Sequence, residues 1–312
     1  MRNNGKTVVN QIVNFSIHLW YNKTRKRCKK MNRNEYYILN NGIKIPKIGF
    51  GTWQAKDGEE AYSSCLNALK AGYRHIDTAF IYGNEESVGK AIKDSKIPRN
   101  QLFITTKLWN DVRGYEETKK AIEKSLERLG LDYIDLYLIH WPNPVKYRQN
   151  YIKMNQEAWR AMEEMYHLGK IKAIGVSNFL VHHLDELLET AKVIPAVNQI
   201  KLYPGLNQEE VVDYCMKKNI LLEAYSPFGT GKIFEVQKLQ EMAIKYNKSV
   251  AQICIRYSLQ KGFLPLPKSV TPSRIIDNLN VFDFILSDED MEILNTLPNY
   301  VGPLKDIDNI NY

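Results

Sequence analysis

The most chemically capable short stretch of the chain is Asp77-Thr78-Ala79-Phe80-Ile81-Tyr82-Gly83-Asn84-Glu85. The run Tyr73-Arg74-His75-Ile76 before it reads as a buried strand, and Ser87-Val88-Gly89-Lys90-Ala91-Ile92 after it reads as a helix. A carboxylate and a phenol therefore share a strand-to-helix loop, which is a way to present an acid over the mouth of a barrel. The plainer alternative is an Asp that caps a turn and a Tyr that packs. Deciding between them requires the elements that would position both groups.

Those elements alternate. Two short apolar runs around Asn41-Gly42 form a hairpin signal. After it, strand-like runs at 48–51, 73–76, 102–106, 133–139, 171–176, 196–200, 220–224 and 263–266 alternate with helical patterns. The helices are expected at 58–71, 87–92, 115–129, 156–168, 180–191, 208–218, 250–260 and 272–280. Strands followed by helices imply a parallel sheet, and eight repeats favour an α/β fold of the closed (β/α)8 TIM-barrel type behind an N-terminal β-hairpin. Ile, Leu and Val dominate the strands, as in sheets buried on both faces. A doubly wound dinucleotide fold would require Gly-x-Gly-x-x-Gly after its first strand, which Gly49 and Gly51 only approximate.

At 312 residues, 44% of them hydrophobic, the chain can bury one large core. Its net charge of +8 is local: residues 1–30 hold eight of the 43 Lys and Arg and no acid, leaving 35 basic against 35 acidic residues. The globular part is neutral, which gives no charge argument for a nucleic-acid partner. The apolar run 12–21 is broken by Asn14, Ser16 and His18 and is too short to span a bilayer. Its basic cluster follows rather than precedes it, against a secretory signal. A disordered tail, an upstream start ahead of Met31, an organelle-targeting segment and an ordered helical extension all stay open for residues 1–33. The single domain is expected at 34–312. Cys28, Cys65, Cys215 and Cys254 lack the spacing of a zinc site or a disulfide frame. They read as thiols in a reducing, cytoplasmic compartment.

In such a barrel, chemistry belongs at the carboxyl ends of the strands. In chain order those ends are Thr52-Trp53, Asp77, Lys107, His140-Trp141, Ser177-Asn178, Gln199, Tyr225-Ser226 and Lys268-Ser269, with Trp109 close by. Singly, a Ser or Asn there is a helix cap and a Lys is solvated. Polar groups at every strand end, converging on one mouth, point to a site.

Several of these stretches resemble the aldo-keto reductase family. They are Gly49-Phe50-Gly51-Thr52-Trp53, Gly72-Tyr73-Arg74-His75-Ile76-Asp77-Thr78-Ala79, Tyr82-Gly83-Asn84-Glu85 and Thr106-Lys107-Leu108-Trp109. Further along come Leu136 to Pro142, Gly175-Val176-Ser177-Asn178-Phe179, Asn198-Gln199, Tyr225-Ser226-Pro227, Pro267-Lys268-Ser269 and Arg274. The likeness spans residues 35 to 300 and is similar in scale to small microbial and protist members, such as the diketogluconate-reductase and prostaglandin-F-synthase-like groups.

The resemblance implies a catalytic tetrad of Asp77, Tyr82, Lys107 and His140, acting on aldehydes and ketones with NADPH. A free phenol, with a pKa of about 10, gives up its proton reluctantly. A neighbouring Lys107 ammonium would lower that value, Asp77 would hold the ammonium, and His140 would bind the carbonyl oxygen. The cofactor would meet Thr52, Ser177, Asn178, Gln199, Tyr225, Ser226, Pro227 and Phe228. Its 2′-phosphate would meet Lys268, Ser269 and Arg274, and its adenine Asn278. Asp277 stands where many relatives carry Glu, which leaves an adenine contact there open. Trp53, Phe80, Trp109, His140 and Trp141 would line an aromatic substrate mouth.

Residues 142–155 read as a loop over the site. The tail after Leu297 is short, implying an open pocket of broad specificity. No metal, nucleic acid or membrane is implied, and a monomer is expected. Three rival readings remain: a lyase with Lys107 as Schiff base, a metal hydrolase using His75, Asp77 and His140, and a reductase-like barrel without catalysis.

Overall fold

The computed structural model describes residues 34–312, so the basic extension and Cys28 lie outside it. The chain opens with an antiparallel hairpin, β1 (Tyr36–Ile38) and β2 (Lys44–Pro46), with Gly42 at φ 85 in its turn. Eight parallel strands follow: β3 (Phe50–Gly51), β4 (His75–Asp77), β5 (Phe103–Leu108), β6 (Ile134–Ile139), β7 (Ile171–Ser177), β8 (Val197–Lys201), β9 (Leu221–Tyr225) and β10 (Leu264–Leu266). They are hydrogen-bonded in sequence order. Gly49 N donates to Pro265 O at 3.1 Å and Gly51 N to Pro267 O at 3.0 Å, which joins the first strand to the last and rounds the sheet into a barrel. Each expected strand is present, with bounds shifted by a few residues.

Alternation within the strands separates two cores. Outward residues such as Ile76, Ile104, Tyr137, Ile174 and Leu222 pack against the helices. Inward ones such as Phe103, Leu136, Leu138, Val197 and Leu264 fill the barrel's lower layers, where the hairpin's Leu39 and Ile45 plug the floor. In the upper inward layer the side chains become polar: Asp77, Lys107, Gln199 and Glu223 are all buried. The register Asp77↔Thr105 and Gln199↔Glu223 brings these groups to one level.

Ten α-helices occur among the described residues: α1 (Glu59–Ala71), α2 (Glu85–Ser95), α3 (Tyr115–Leu129), α4 (Tyr151–His167), α5 (Val181–Leu188), α6 (Glu209–Lys217), α7 (Gln237–Tyr246), α8 (Val250–Gln260), α9 (Pro272–Leu279) and α10 (Asp288–Thr296). Two were not expected from the sequence. Helices α7 and α10 build a satellite core around Leu239, Met242, Met291 and Leu294 beside α8. Ser287 caps α10 by accepting from Asp290 N at 3.2 Å, and Ser249 and Gln252 cap α8 reciprocally. The expected loop over 142–155 is also shorter than anticipated. A 3-10 segment (Val145–Asn150) leads directly into α4, which starts five residues before the expected 156. No helix of the described residues is long and apolar enough to cross a membrane.

Gly89 shows how closely the helical layer packs. A Cβ built there would lie 2.2 Å from Leu129 O, at the end of α3. Alanine improves helix propensity by about 1 kcal/mol, but the clash is with backbone that ends another helix. Overpacking of this kind costs about 1–3 kcal/mol or more. The contact should win over propensity: Gly89→Ala is expected to lower the thermal unfolding midpoint, and a raised midpoint would show that α2 and α3 have room to part.

Candidate active site

Lys107, on β5, is fully buried, and its ammonium donates to Asp77 Oδ1 at 2.6 Å and to Thr78 O at 2.8 Å. A buried cation requires such partners, because desolvation otherwise penalises it by several kcal/mol. The second Asp77 oxygen accepts from Gln199 Nε2 at 2.8 Å. Thr52 braces the strand end from below: its N and Oγ1 both donate to Asp77 O at 3.0 Å. Asn84 staples the neighbouring loops, donating to Thr52 O (3.1 Å) and Ala55 O (3.0 Å) and accepting from Thr78 Oγ1 (2.7 Å). The loop carrying Tyr82 is thus held on both sides by buried hydrogen bonds.

Lys107 Nζ lies 5.2 Å from the centroid of the Tyr82 ring. Tyr82 in turn meets His140 edge-on, with centroids 5.9 Å apart. Phenol and imidazole therefore stand side by side above the ion pair. Burial first, and then the Asp77 carboxylate, push the Tyr82 hydroxyl well above its ordinary value. This runs opposite to the expected lowering by Lys107, whose charge is largely matched by Asp77 at contact. His140 is held neutral: burial, then the positive charges of Lys107 and Arg113, drive its pKa well below the usual imidazole value.

Arg113 had no role in the sequence reading. It is buried, and its guanidinium donates to Trp109 O (2.8 Å), Val112 O (2.7 Å), Trp141 O (2.7 Å) and Asn155 Oδ1 (3.1 Å). One side chain therefore fixes the backbones of the two indoles that flank His140, with ring centroids 5.2 Å (Trp109) and 6.4 Å (Trp141) from the imidazole. No local signal in Val112-Arg113-Gly114 marks this role.

A cavity of about 950 Å³ opens over these groups. It brings together Trp53, Trp109, His140 and Trp141 with Ser177, Asn178, Gln199, Tyr225, Ser226, Pro227, Phe228 and Lys268. Asn178 (φ 62) and Ser226 (φ 48) adopt left-handed backbone just after β7 and at the end of β9. Ser177 Oγ donates to Gln199 O (2.8 Å), Asn178 Nδ2 to Ser177 Oγ and His140 O (both 3.0 Å), and Tyr225 OH to Asn178 Oδ1 (2.8 Å). Thr52 does not reach the cavity. Ser269, Arg274 and Asn278 do not line it; they lie on the turn into α9 and on α9 itself, where Arg274 is exposed and Asn278 buried.

Phe80 is the clear departure. It lies in a 3-10 turn (Phe80–Tyr82), faces the Arg128 guanidinium at 4.4 Å, and is not part of the cavity wall, where Ile81 stands instead. At about three residues per turn the three side chains of such a turn point about 120° apart, so they cannot all face the cavity, and Phe80 is the one turned away.

The tail also departs from expectation. Asp308 Oδ1 lies 3.0 Å from His182 Nε2 and 2.9 Å from His183 Nε2, and Asn143 Nδ2 donates to Asp308 O at 3.0 Å. His183 Nδ1 accepts from Leu180 N, which puts the proton of a neutral ring on Nε2, facing the carboxylate. These contacts lay the tail over the mouth, where Tyr312 stacks on Trp109 at 6.0 Å and meets Trp141 edge-on at 5.4 Å. The tail, through Pro303, Leu304, Lys305, Ile307 and Tyr312, forms part of the pocket wall.

Comparison with known proteins agrees with the fold and the motifs. The sequence model of the Aldo/keto reductase family matches residues 47–298. A glyoxal reductase of Bacillus subtilis is 50% identical over 270 residues, covering 86% of this chain and 95% of its own. A glycerol 2-dehydrogenase (NADP(+)) of Saccharomyces cerevisiae is 42% identical over 290 residues, covering 85% and 91%. The solved structure of a Bombyx mori aldo-keto reductase in complex with NADP superposes with a TM-score of 0.80 at 36% identity, covering 90% of this chain and 99% of that one. The chain belongs to the aldo/keto reductase family.

The electrostatics of His140 can be checked without any substrate. Because its charged form is disfavoured, the ring should stay neutral as pH falls through the ordinary imidazole value of about 6.5. Histidine ring NMR signals assigned to His140 are expected not to titrate there. A transition near that value would contradict the reading of His140 as a buried, cation-flanked ring.

Proposed function

We propose that this protein reduces aldehydes and ketones to alcohols with NADPH, and that Tyr82 gives the proton. The observation that carries the reading is the Asp77–Lys107 ion pair beneath a phenol that stands beside a neutral imidazole in one cavity. A carbonyl oxygen placed between Tyr82 and His140 would meet two neutral donors where negative charge develops. Tyr82 keeps its proton until that charge appears. Lys107 then stabilises the phenolate left behind, and Asp77 keeps the ammonium charged and aimed.

The cofactor is NADP(H), in keeping with the NADP-dependent relative and the NADP-bound neighbour. The donor set suits it. Ser177, Asn178 and Gln199 offer amide and hydroxyl groups for a carboxamide, and the Tyr225 ring offers a stacking face. Among the described residues neither Lys268 nor Arg274 has a carboxylate within ion-pair distance, so both cations are available to a phosphate; Lys268 Nζ donates to Gln54 O. When bound, this group supplies the hydride. Aromatic walls formed by Trp53, Trp109, Trp141 and Tyr312 favour carbonyl compounds with an apolar or flat portion.

Lys107 as a Schiff-base nucleophile is the weaker reading, since its nitrogen donates to both Asp77 and Thr78 O and lies under the Tyr82 ring. The catalytic unit is taken as residues 34–312 acting as a monomer, because elements of one chain complete the cavity. The three buried free thiols, Cys65, Cys215 and Cys254, fit a reducing compartment such as the cytoplasm.

Loss of NADPH absorbance with an aldehyde panel tests the proton donor. Tyr82→Phe is expected to lose about 10²- to 10⁴-fold in kcat, and equal rates for both proteins would refute the assignment. Cofactor choice tests the phosphate clamp. Arg274→Ala together with Lys268→Ala should erode the preference for NADPH over NADH by about tenfold or more, the scale of one or two charge-assisted hydrogen bonds. An unchanged preference would remove both residues from the phosphate site.

A further inference from the structure

Behind the Asp77–Lys107 pair lies a second buried carboxylate. Glu223, on β9, is wholly shielded from solvent and sits in register between Gln199 of β8 and Leu264 of β10. Its Oε2 accepts from Gln199 Nε2 at 2.7 Å, while the same nitrogen donates to Asp77 Oδ2 at 2.8 Å. An amide nitrogen carries two hydrogens, so each carboxyl group takes one and both are engaged. Reversing the amide would aim its oxygen at Asp77, whose ionised carboxylate has no hydrogen to give. Asp77 and Glu223 together therefore fix which end of Gln199 faces the floor, and the amide oxygen is what Gln199 can offer to the cavity it lines.

We propose that Glu223 is a positioning residue for the reductase reaction: it holds the Gln199 amide with its oxygen available to the nicotinamide carboxamide, and it governs the charge of the floor beneath Lys107 and Tyr82. The proposal rests on the reading of the cavity as an NADP(H) and carbonyl site.

The groups around Glu223 bear this out. From β4 come Asp77 and His75, from β5 Thr105 and Lys107, and from β8 Gln199. Lys107 is engaged by Asp77. His75 Nε2 is 4.0 Å from Glu223 Oε1, yet it is bonded to Thr105 Oγ1 at 2.9 Å, and burial with the Lys107 charge holds the ring neutral by lowering its pKa to about 3. The Lys107 charge favours the ionised form of Glu223, but that ammonium is already paired with Asp77. Burial first, and then the Asp77 charge, raise its carboxyl to about 8. The sign follows. Below that pH Glu223 keeps a proton and the floor is a balanced pair. Above it the floor gains a negative charge, which disfavours a phenolate at Tyr82. Alcohol oxidation, which starts from the Tyr82 phenolate, is opposed, and proton donation during reduction, which ends in it, is weakened as well.

Two variants of the full chain separate the effects. Glu223→Gln keeps an acceptor for Gln199 and removes the titrating proton. Glu223→Leu removes both. Alcohol oxidation with NADP+ is followed on either side of about pH 8, and NADPH affinity is measured directly by quenching of protein fluorescence. Glu223→Gln should bind NADPH within about twofold of wild type and show faster oxidation than wild type above that pH, with equal rates below it. Glu223→Leu should weaken NADPH binding at least about tenfold at every pH, the scale of losing one buried hydrogen bond to a charged or polar partner. A Glu223→Gln pH profile that coincides with wild type overturns the proposal, and this arm decides alone if the leucine variant does not fold. Wild-type NADPH affinity in a folded Glu223→Leu protein also overturns it. Tyr82→Phe serves as the separate control: undiminished reduction there would sink the underlying reading of the site, while the NADPH titrations would still report on Glu223.

Discussion

The arrangement depends on burying one ammonium. Lys107 sits at zero exposure inside a barrel, where an unpaired charge would be costly enough to empty the position or strip its proton. Asp77 on the adjacent strand removes that difficulty with a contact of 2.6 Å, and the parallel register of β4 and β5 makes the contact available. Once Asp77 is committed to Lys107, its remaining oxygen needs a donor, which calls in Gln199. The amide of Gln199 then has a second hydrogen to place, which calls in Glu223. Each buried polar group creates the demand that the next one meets, and the chain of demands runs across the barrel floor from β5 to β9.

Above the floor the physics changes from pairing to exclusion. Trp109 and Trp141 flank His140, and Tyr312 closes over both. Burial, with the Asp77 charge, raises the Tyr82 pKa, and burial, with the Lys107 and Arg113 charges, lowers that of His140, so both groups are neutral donors at ordinary pH. Arg113 serves both ends. Its hydrogen bonds hold the indole backbones, and its charge helps keep the imidazole unprotonated. A buried guanidinium satisfied only by carbonyl and amide oxygens is otherwise difficult to explain in a mouth that must stay apolar.

What the sequence could reveal follows from how far each determinant lies along the chain. Strands such as Ile134–Ile139 and helices such as α3 and α8 are written in contiguous periodicity and bounded by glycines or a capping serine, so they were legible. Polar residues at strand ends were legible too, because the barrel gathers whatever stands there. Phe80 was misplaced, since a three-residue turn reverses side-chain direction in a way that composition does not record. Helices α7 and α10 bury little on their own and owe their position to a satellite core assembled from distant segments. The tail's docking depends on Asp308 finding His182 and His183, residues 126 and 125 positions away, which no local pattern encodes.

Glu223 lies between these cases. A lone acid in Ile220-Leu221-Leu222-Glu223-Ala224 violates the apolar character of a buried strand, and that violation was visible without coordinates. Its meaning was not, because a buried carboxylate can be a satisfied structural group or a chemical one, and only its neighbours distinguish them. Here the neighbours are a neutral histidine, an amide already shared with Asp77, and a lysine already paired with Asp77. A purely structural acceptor for Gln199 would be supplied equally by a glutamine. Retaining an acid at that position makes sense if its charge is felt by the pair next to it. The loop carrying Tyr82 and the acid on the opposite strand are then two ends of one electrostatic unit, with Lys107 at its centre.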